Sequence, residues 1–293
     1  MILLAFLAQT IRIAIPYLFA AAGGVISERA GVIALSLEGF MLSGAFGAAL
    51  GSYYSGDPVI GVLCGLAGGL VAALIHALAV VRYRADQVIV GIAINLLVVG
   101  ATRFFLRFAF DSSSNSPRVA GFGGESAGTG LIAAFTSPMV WLGLLTLPAI
   151  AWVLYRSTFG LRLRAVGEHP DAAASVGIRV TRVRWTAIAA CGMLASLGGA
   201  YLALDQHQFT DGMTAGRGFI ALAAVIFGRW DPKRVGFACL LFAAAETLQI
   251  QLQGAQVIPS QFVEMIPYLL TIVALAGVVG RAVPPAALGR VSD

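Results

Sequence analysis

The chain has 293 residues, of which 59% are hydrophobic and 11% charged, with a mean hydropathy of +0.88 and a formal net charge of +5. Ordinary soluble domains carry roughly 25% charged residues, so this composition excludes a water-soluble fold and places most of the chain in lipid. Successive apolar runs reach the roughly 20 residues a helix needs to cross about 30 Å of hydrocarbon, and they lack the two-residue alternation of a membrane β-barrel. The fold class read from them is all-α: a polytopic transmembrane helical bundle of about 8–10 membrane segments, some short or re-entrant, forming one domain over 1–293.

The apolar segments in chain order are 8–26, 31–50, 58–81, 87–108, 131–155, 185–204, 216–228, 235–253 and 262–280. Before the first, MILLAFLAQTIRIAIP lacks the charged start and small-residue cleavage site of a signal peptide, so it is read as retained. Arg12 puts residues 1–12 in the interface, with Pro16 starting or kinking the crossing helix. The second segment carries Glu38 among several glycines, and the seventh is too short to span. Both are therefore expected to be irregular, since non-helical backbone at that depth survives only where protein or a water-filled cavity covers it.

Charge then orients the bundle. If connections 27–30, 82–86, 156–184, 229–234 and the tail from 281 share one side, they hold 14 of the 19 Lys and Arg. By the positive-inside rule that side is the cytosol, with the N-terminus outside and the C-terminus inside. The same distribution removes nucleic acid as a partner, because no basic face with interleaved aromatics exists. Connection 156–184 is the longest cytosolic one and has six basic residues. Within it Pro170 starts a short helix, Asp171 suits its positive end, Ala172 to Ala174 extend it and Gly177 ends it.

Single residues carry the remaining chemistry. An acidic side chain at a helix centre costs about 2.5–3.5 kcal/mol on insertion scales, so Glu38 and Glu246 must face protein or water. For Glu38 two readings stand: it lines a solute path or fixes a helix break, or it makes an interhelical or intersubunit hydrogen bond. Asn95 offers a donor and an acceptor to a polar solute or to a neighbouring helix. Arg103 and Arg107 share a helix face and either snorkel to the interface or meet an external protein. The connection DSSSNSPRVAGFGGESAGTG reads as a flexible or plug-like external loop. Cys64, Cys191 and Cys239 lie in apolar segments, and the three histidines have no metal-ligand spacing, so no metal is assigned.

Four strings in this order, ERAGVIALSLEGFMLSGAF, ADQVIVGIAINLL, FGLRLRAVGEHPDAAASVGI and GRGFIALAAVIFGRWDPKRVG, resemble the permease subunits of bacterial ABC importers of the ribose and branched-chain amino acid type, most closely the nucleoside or simple-sugar branch. The resemblance implies a non-enzymatic chain in the bacterial inner membrane. Its partners would be a homologous or identical second permease, an ABC ATPase that uses ATP and Mg, and an extracytoplasmic solute-binding lipoprotein. It implies that Gly167, Glu168, His169, Pro170, Asp171, Ala172 and Gly177 belong to the coupling helix that the ATPase grips, with Arg162 and Arg164 as docking charges, and that Glu38 and Asn95 line or brace the path. No cofactor is expected on this chain itself, which has no GxxxxGKS phosphate loop. In the pattern RAGVxNxGxEG this chain departs at Ala34, where relatives have Asn, and at Ser36, where they have glycine; after Pro232, Arg234 replaces a frequent glycine. Those departures imply a different solute or one half of an asymmetric pair.

Two other classes use the same residues differently. An ion-coupled secondary transporter would place ions at the intramembrane Glu residues and show two inverted repeats. An intramembrane serine protease would need a serine of SGAFG at 43–47 to face His76 or His207.

Overall fold

Asp57, Asp86, Ser157 and Asp231 sit where helices begin, and each accepts from backbone N–H groups of the helix that follows. These caps punctuate a computed structural model that describes residues 2–122, 135–255, 265 and 283–290. Its helices are α1 (Ile2–Arg29), α2 (Leu37–Ser55), α3 (Pro58–Ala77, continued by a π turn over Leu78–Arg82), α4 (Gln87–Phe110) and α5 (Pro138–Arg156). They are followed by α6 (Thr158–Glu168), α7 (Pro170–Ser175), α8 (Val180–Asp205), α9 (Arg217–Phe227) and α10 (Pro232–Ala255). Six of the described helices, α1, α3, α4, α5, α8 and α10, are long and apolar enough to cross a membrane.

The core is built on α8. In its most apolar stretch 72% is buried, against 28% for α3 and for α4, so α8 is wrapped by protein while α3 and α4 turn large apolar side chains such as Leu63, Leu96 and Phe108 outward. Small residues make this packing close. A Cβ on Gly199 of α8 would lie 1.7 Å from the Met41 carbonyl oxygen of α2, and one on Gly44 of α2 would lie 2.3 Å from the Ser196 carbonyl oxygen of α8. Alanine gains about 1 kcal/mol over glycine inside a helix, but overpacking costs about 1–3 kcal/mol and a backbone carbonyl cannot swing aside. Gly199→Ala is therefore expected to lower the melting temperature of the purified protein by several degrees; an unchanged or higher melting temperature would show that α2 and α8 can separate without loss.

Several sequence expectations change. Pro16 does not start a helix: α1 runs continuously through it from Ile2, and Arg12 pairs with Asp205 of α8 at 2.9 Å. Segment 31–50 is irregular as expected, with the break at its start: 30–36 is an irregular strap, and α2 starts at Leu37, so Glu38 stands in a first turn, where the N-terminal dipole favours it. Connection 156–184 is shorter than read, because α8 already begins at Val180 and carries Arg182 and Arg184. The loop read as external is not loose over 114–119. Ser116 and Val119 N–H groups donate to Phe209 and His207 carbonyls at 2.8 and 2.9 Å, and Asp211 N–H donates to Ser114 O at 2.8 Å. Arg103 pairs with Asp211 at 2.8 Å. The segment 262–280, apart from Met265, and part of 131–155 lie outside the described residues.

Connections assigned to opposite sides do gather at opposite ends. Around Arg29, the Trp230 carbonyl, the Ala287 N–H to Gly167 O bond and the Tyr155 hydroxyl on Asp231 join the arginine-rich connections. At the other end 114–120 meets 206–211, and the Ser52 hydroxyl donates to Ala120 O.

Candidate functional site

Two helices begin inside the bundle. By length α9 measures about 16 Å, half of what a crossing needs, and it ends beside Trp230 at the arginine-rich end. The sequence forces this break, for Gly212 and Gly216 adopt positive φ of 67° and 82° and the chain turns before Arg217. The unpaired N–H groups at the start of α9 are met by Glu38 of α2. Its Oε1 accepts from the Thr214 hydroxyl at 2.6 Å and Gly216 N–H at 2.9 Å, and Oε2 accepts from Gly218 N–H at 2.7 Å. Gly218 must be glycine for this approach, since a Cβ there would come within 2.4 Å of the Glu38 backbone nitrogen.

The strap ahead of α2 is held just as completely. Asn95 of α4 accepts from Gly39 N–H at 2.8 Å and donates to Leu35 O at 2.9 Å. Gln87 accepts from Ile33 N–H at 2.8 Å, Glu28 accepts from Ala34 N–H at 3.2 Å and from the Trp230 indole, and the Ser27 hydroxyl donates to Val32 O. Irregular backbone at membrane depth is thus satisfied by side chains of α1 and α4. Ala34 is buried at 2% exposure, so that position faces protein. Gln87, Glu28 and Thr214 were not singled out from sequence: Glu28 reads as a charge in a connection, and the pattern ISERAG holds no sign that its carboxylate turns inward.

Glu38 and Asn95 are therefore brought to one place, 30–39 against 214–218, with their carboxylate and amide groups engaged by backbone. Glu246 reaches the same break from α10, accepting from Arg217 at 2.6 Å and from the Tyr17 hydroxyl. The serine and histidines do not meet: the Ser43 hydroxyl donates to Phe40 O, His76 is buried edge-on to Phe40, and His207 Nδ1 contacts Val119 O.

At the arginine-rich end Pro170 opens the six-residue α7 as its first residue. His169, Asp171, Ala172, Ala174 and Ser175 are exposed, while Ala173 is buried beneath them. Gly177 ends the turn at φ 86°. Other members of the expected set are tied to the rest of the chain. Gly167 is buried with its carbonyl on Ala287 N–H, Glu168 accepts from Ala286 N–H, and the half-buried Arg164 stacks over the Tyr155 ring at 5.2 Å. Arg162 is exposed. The contacts of Gly167, Glu168 and Arg164 fix the frame from which α7 projects.

Residues 6–275 match the family described as branched-chain amino acid transport system / permease component. The chain belongs to this family. This permease is 37% identical to the guanosine ABC transporter permease protein NupQ of Bacillus subtilis, over 96% of its own length and 93% of the relative's. It is 34% identical to the nucleoside ABC transporter permease protein NupC of Lactococcus lactis subsp. cremoris, over 94% and 92%. It is also 36% identical to the putative glucose ABC transporter permease protein TsgC13 of Haloferax volcanii, over 84% and 77%. It is a multi-pass membrane permease, not a catalytic enzyme.

Proposed function

We propose that this permease imports nucleosides in an ABC system, by alternating access, as one of two permease chains. A separate ABC ATPase that binds ATP and Mg drives it, and an extracytoplasmic lipoprotein delivers the solute. The reading rests on α7: a six-residue helix, bare on its outer side and set on residues bonded to the rest of the chain, is suited to lie in a partner's groove and carry its motion into α8. The nucleoside choice draws on the match to NupQ and NupC along nearly the whole chain; TsgC13 supports a simple sugar as the alternative. The arginine-rich end lies in the cytosol of a bacterial cell by the positive-inside rule, which puts the N-terminus outside and the C-terminus inside. In this reading Glu38 and Asn95 brace the broken helices beside the path, and Arg162 is the docking charge.

The test is ATP-driven uptake by the whole importer in proteoliposomes, with radiolabelled guanosine and glucose. Asp171→Arg places a like charge at the positive end of α7, and Pro170→Leu removes the residue preset for its first turn. Both variants are expected to insert normally, with uptake at least about tenfold lower, as a loss of about 1.4 kcal/mol of coupling would produce. Full uptake in both would sink the assignment of α7, and ATP-independent uptake driven by an ion gradient would sink the importer reading.

A further inference from the structure

At the end of the bundle opposite the arginine-rich one, a cavity of about 430 Å³ opens between α1, α8 and the start of α9. That volume lies within the range of about 300–1,000 Å³ typical of small-molecule sites. Its polar lining is Gln9, Arg12, Tyr201, Asp205, Gln206 and Arg217. Arg12 is paired with Asp205 at 2.9 Å, and Arg217 with Glu246 at 2.6 Å, so the lining is close to neutral overall. Its hydrogen-bonding capacity is far from used up. Among the described residues the half-buried Gln9 and the exposed Gln206 amides make no hydrogen bond within the chain, and the Tyr201 hydroxyl, in a residue 3% exposed, lies against the Arg12 guanidinium. Arg12 places Nη2 on Asp205 and also meets the Tyr201 hydroxyl, and its five N–H groups exceed what these two partners take.

Arg12 and Gln206 are exposed at the mouth of the cavity, where an entering solute can reach them. A lining with balanced charges gives an anion no Coulombic advantage, whereas amides, a hydroxyl and the free edges of an ion pair match hydroxyls and ring nitrogens. We propose that this cavity is a binding site for an uncharged, polyhydroxylated or heterocyclic solute. Its hydroxyls donate to Asp205, and its acceptors take N–H groups from Gln9, Gln206 and Arg12. The site rests on the importer reading, and supplies the solute contacts that Glu38 and Asn95, engaged by backbone, do not.

The experiment uses the whole importer in nanodiscs with Gln206→Cys, labelled by a membrane-impermeant maleimide. Millimolar guanosine is expected to slow labelling saturably, and guanosine monophosphate is not. Adding Gln9→Leu should raise the guanosine concentration for half-protection about fivefold, as the loss of one hydrogen bond worth about 1 kcal/mol requires, with the melting temperature unchanged. If the wild type takes up guanosine but guanosine does not protect Gln206→Cys, the cavity is not the site and the importer reading stands. Equal protection by the monophosphate overturns the uncharged class. If the wild type takes up neither guanosine nor glucose, the importer reading falls and the site falls with it.

Discussion

Glu38→Leu is expected to leave little folded permease. The substitution strips the Thr214 hydroxyl and the Gly216 and Gly218 N–H groups of their acceptor at once. Each donor stranded in a protein interior costs about 1–3 kcal/mol, against a total stability of about 5–15 kcal/mol. The carboxylate also sits at the positive ends of both α2 and α9, so its charge is favoured by two helix dipoles. Glu38→Gln separates these contributions. One amide oxygen can still serve two donors, but its NH₂ then confronts a third, so the defect should be intermediate. Yield of monodisperse protein on size exclusion and thermal melting of that peak measure both variants. A leucine variant that melts with the wild type would show that α9 begins without this acceptor.

The second large effect concerns Arg217 and Glu246, whose side chains are 20% and 17% exposed and lie 2.6 Å apart. Removing one member of a buried ion pair costs about 3–5 kcal/mol, because the other charge is left in a poor solvent, while replacing both with apolar groups is often neutral. Arg217→Met should therefore cost about 3 kcal/mol, the low end of that range for a pair with some water access. Glu246 would keep only the Tyr17 hydroxyl. Adding Glu246→Leu should restore most of the loss. The double-mutant cycle, followed by thermal melting in one detergent, decides between coupling and simple packing. Additive losses would mean that the two residues stabilise the bundle separately.

Glu246 and Glu38 looked alike in the sequence, each an acidic residue inside an apolar run. Their cost in lipid forced both to face polar partners, and that much was legible. Which partner each took was not, because Arg217 and Thr214 are neighbours in sequence yet serve different carboxylates through different helices. Asn95 was legible as an amide needing partners, but not as the clamp on Leu35 and Gly39. Arg164 is legible as a basic residue of the connection, but not as the one that lies over Tyr155; a charged residue in a connection has no sequence mark that separates outward from inward.

Hydrophobic run length, the sidedness of arginine and the Pro170 to Gly177 helix signals follow from local rules, namely the thickness of the bilayer, the membrane's charge asymmetry and the backbone preferences of proline and glycine. Those determined by themselves that the chain is a many-helix membrane protein with a short exposed helix at one end. Only the tertiary structure decided that 30–36 is a strap, that α1 passes straight through Pro16, and that α2 and α9 share Glu38. The reason is that such irregular backbone is permitted or forbidden largely by groups far away in sequence, Gln87 and Asn95 for the strap and Glu38 for the start of α9, and long-range satisfaction of hydrogen bonds leaves no local pattern to read.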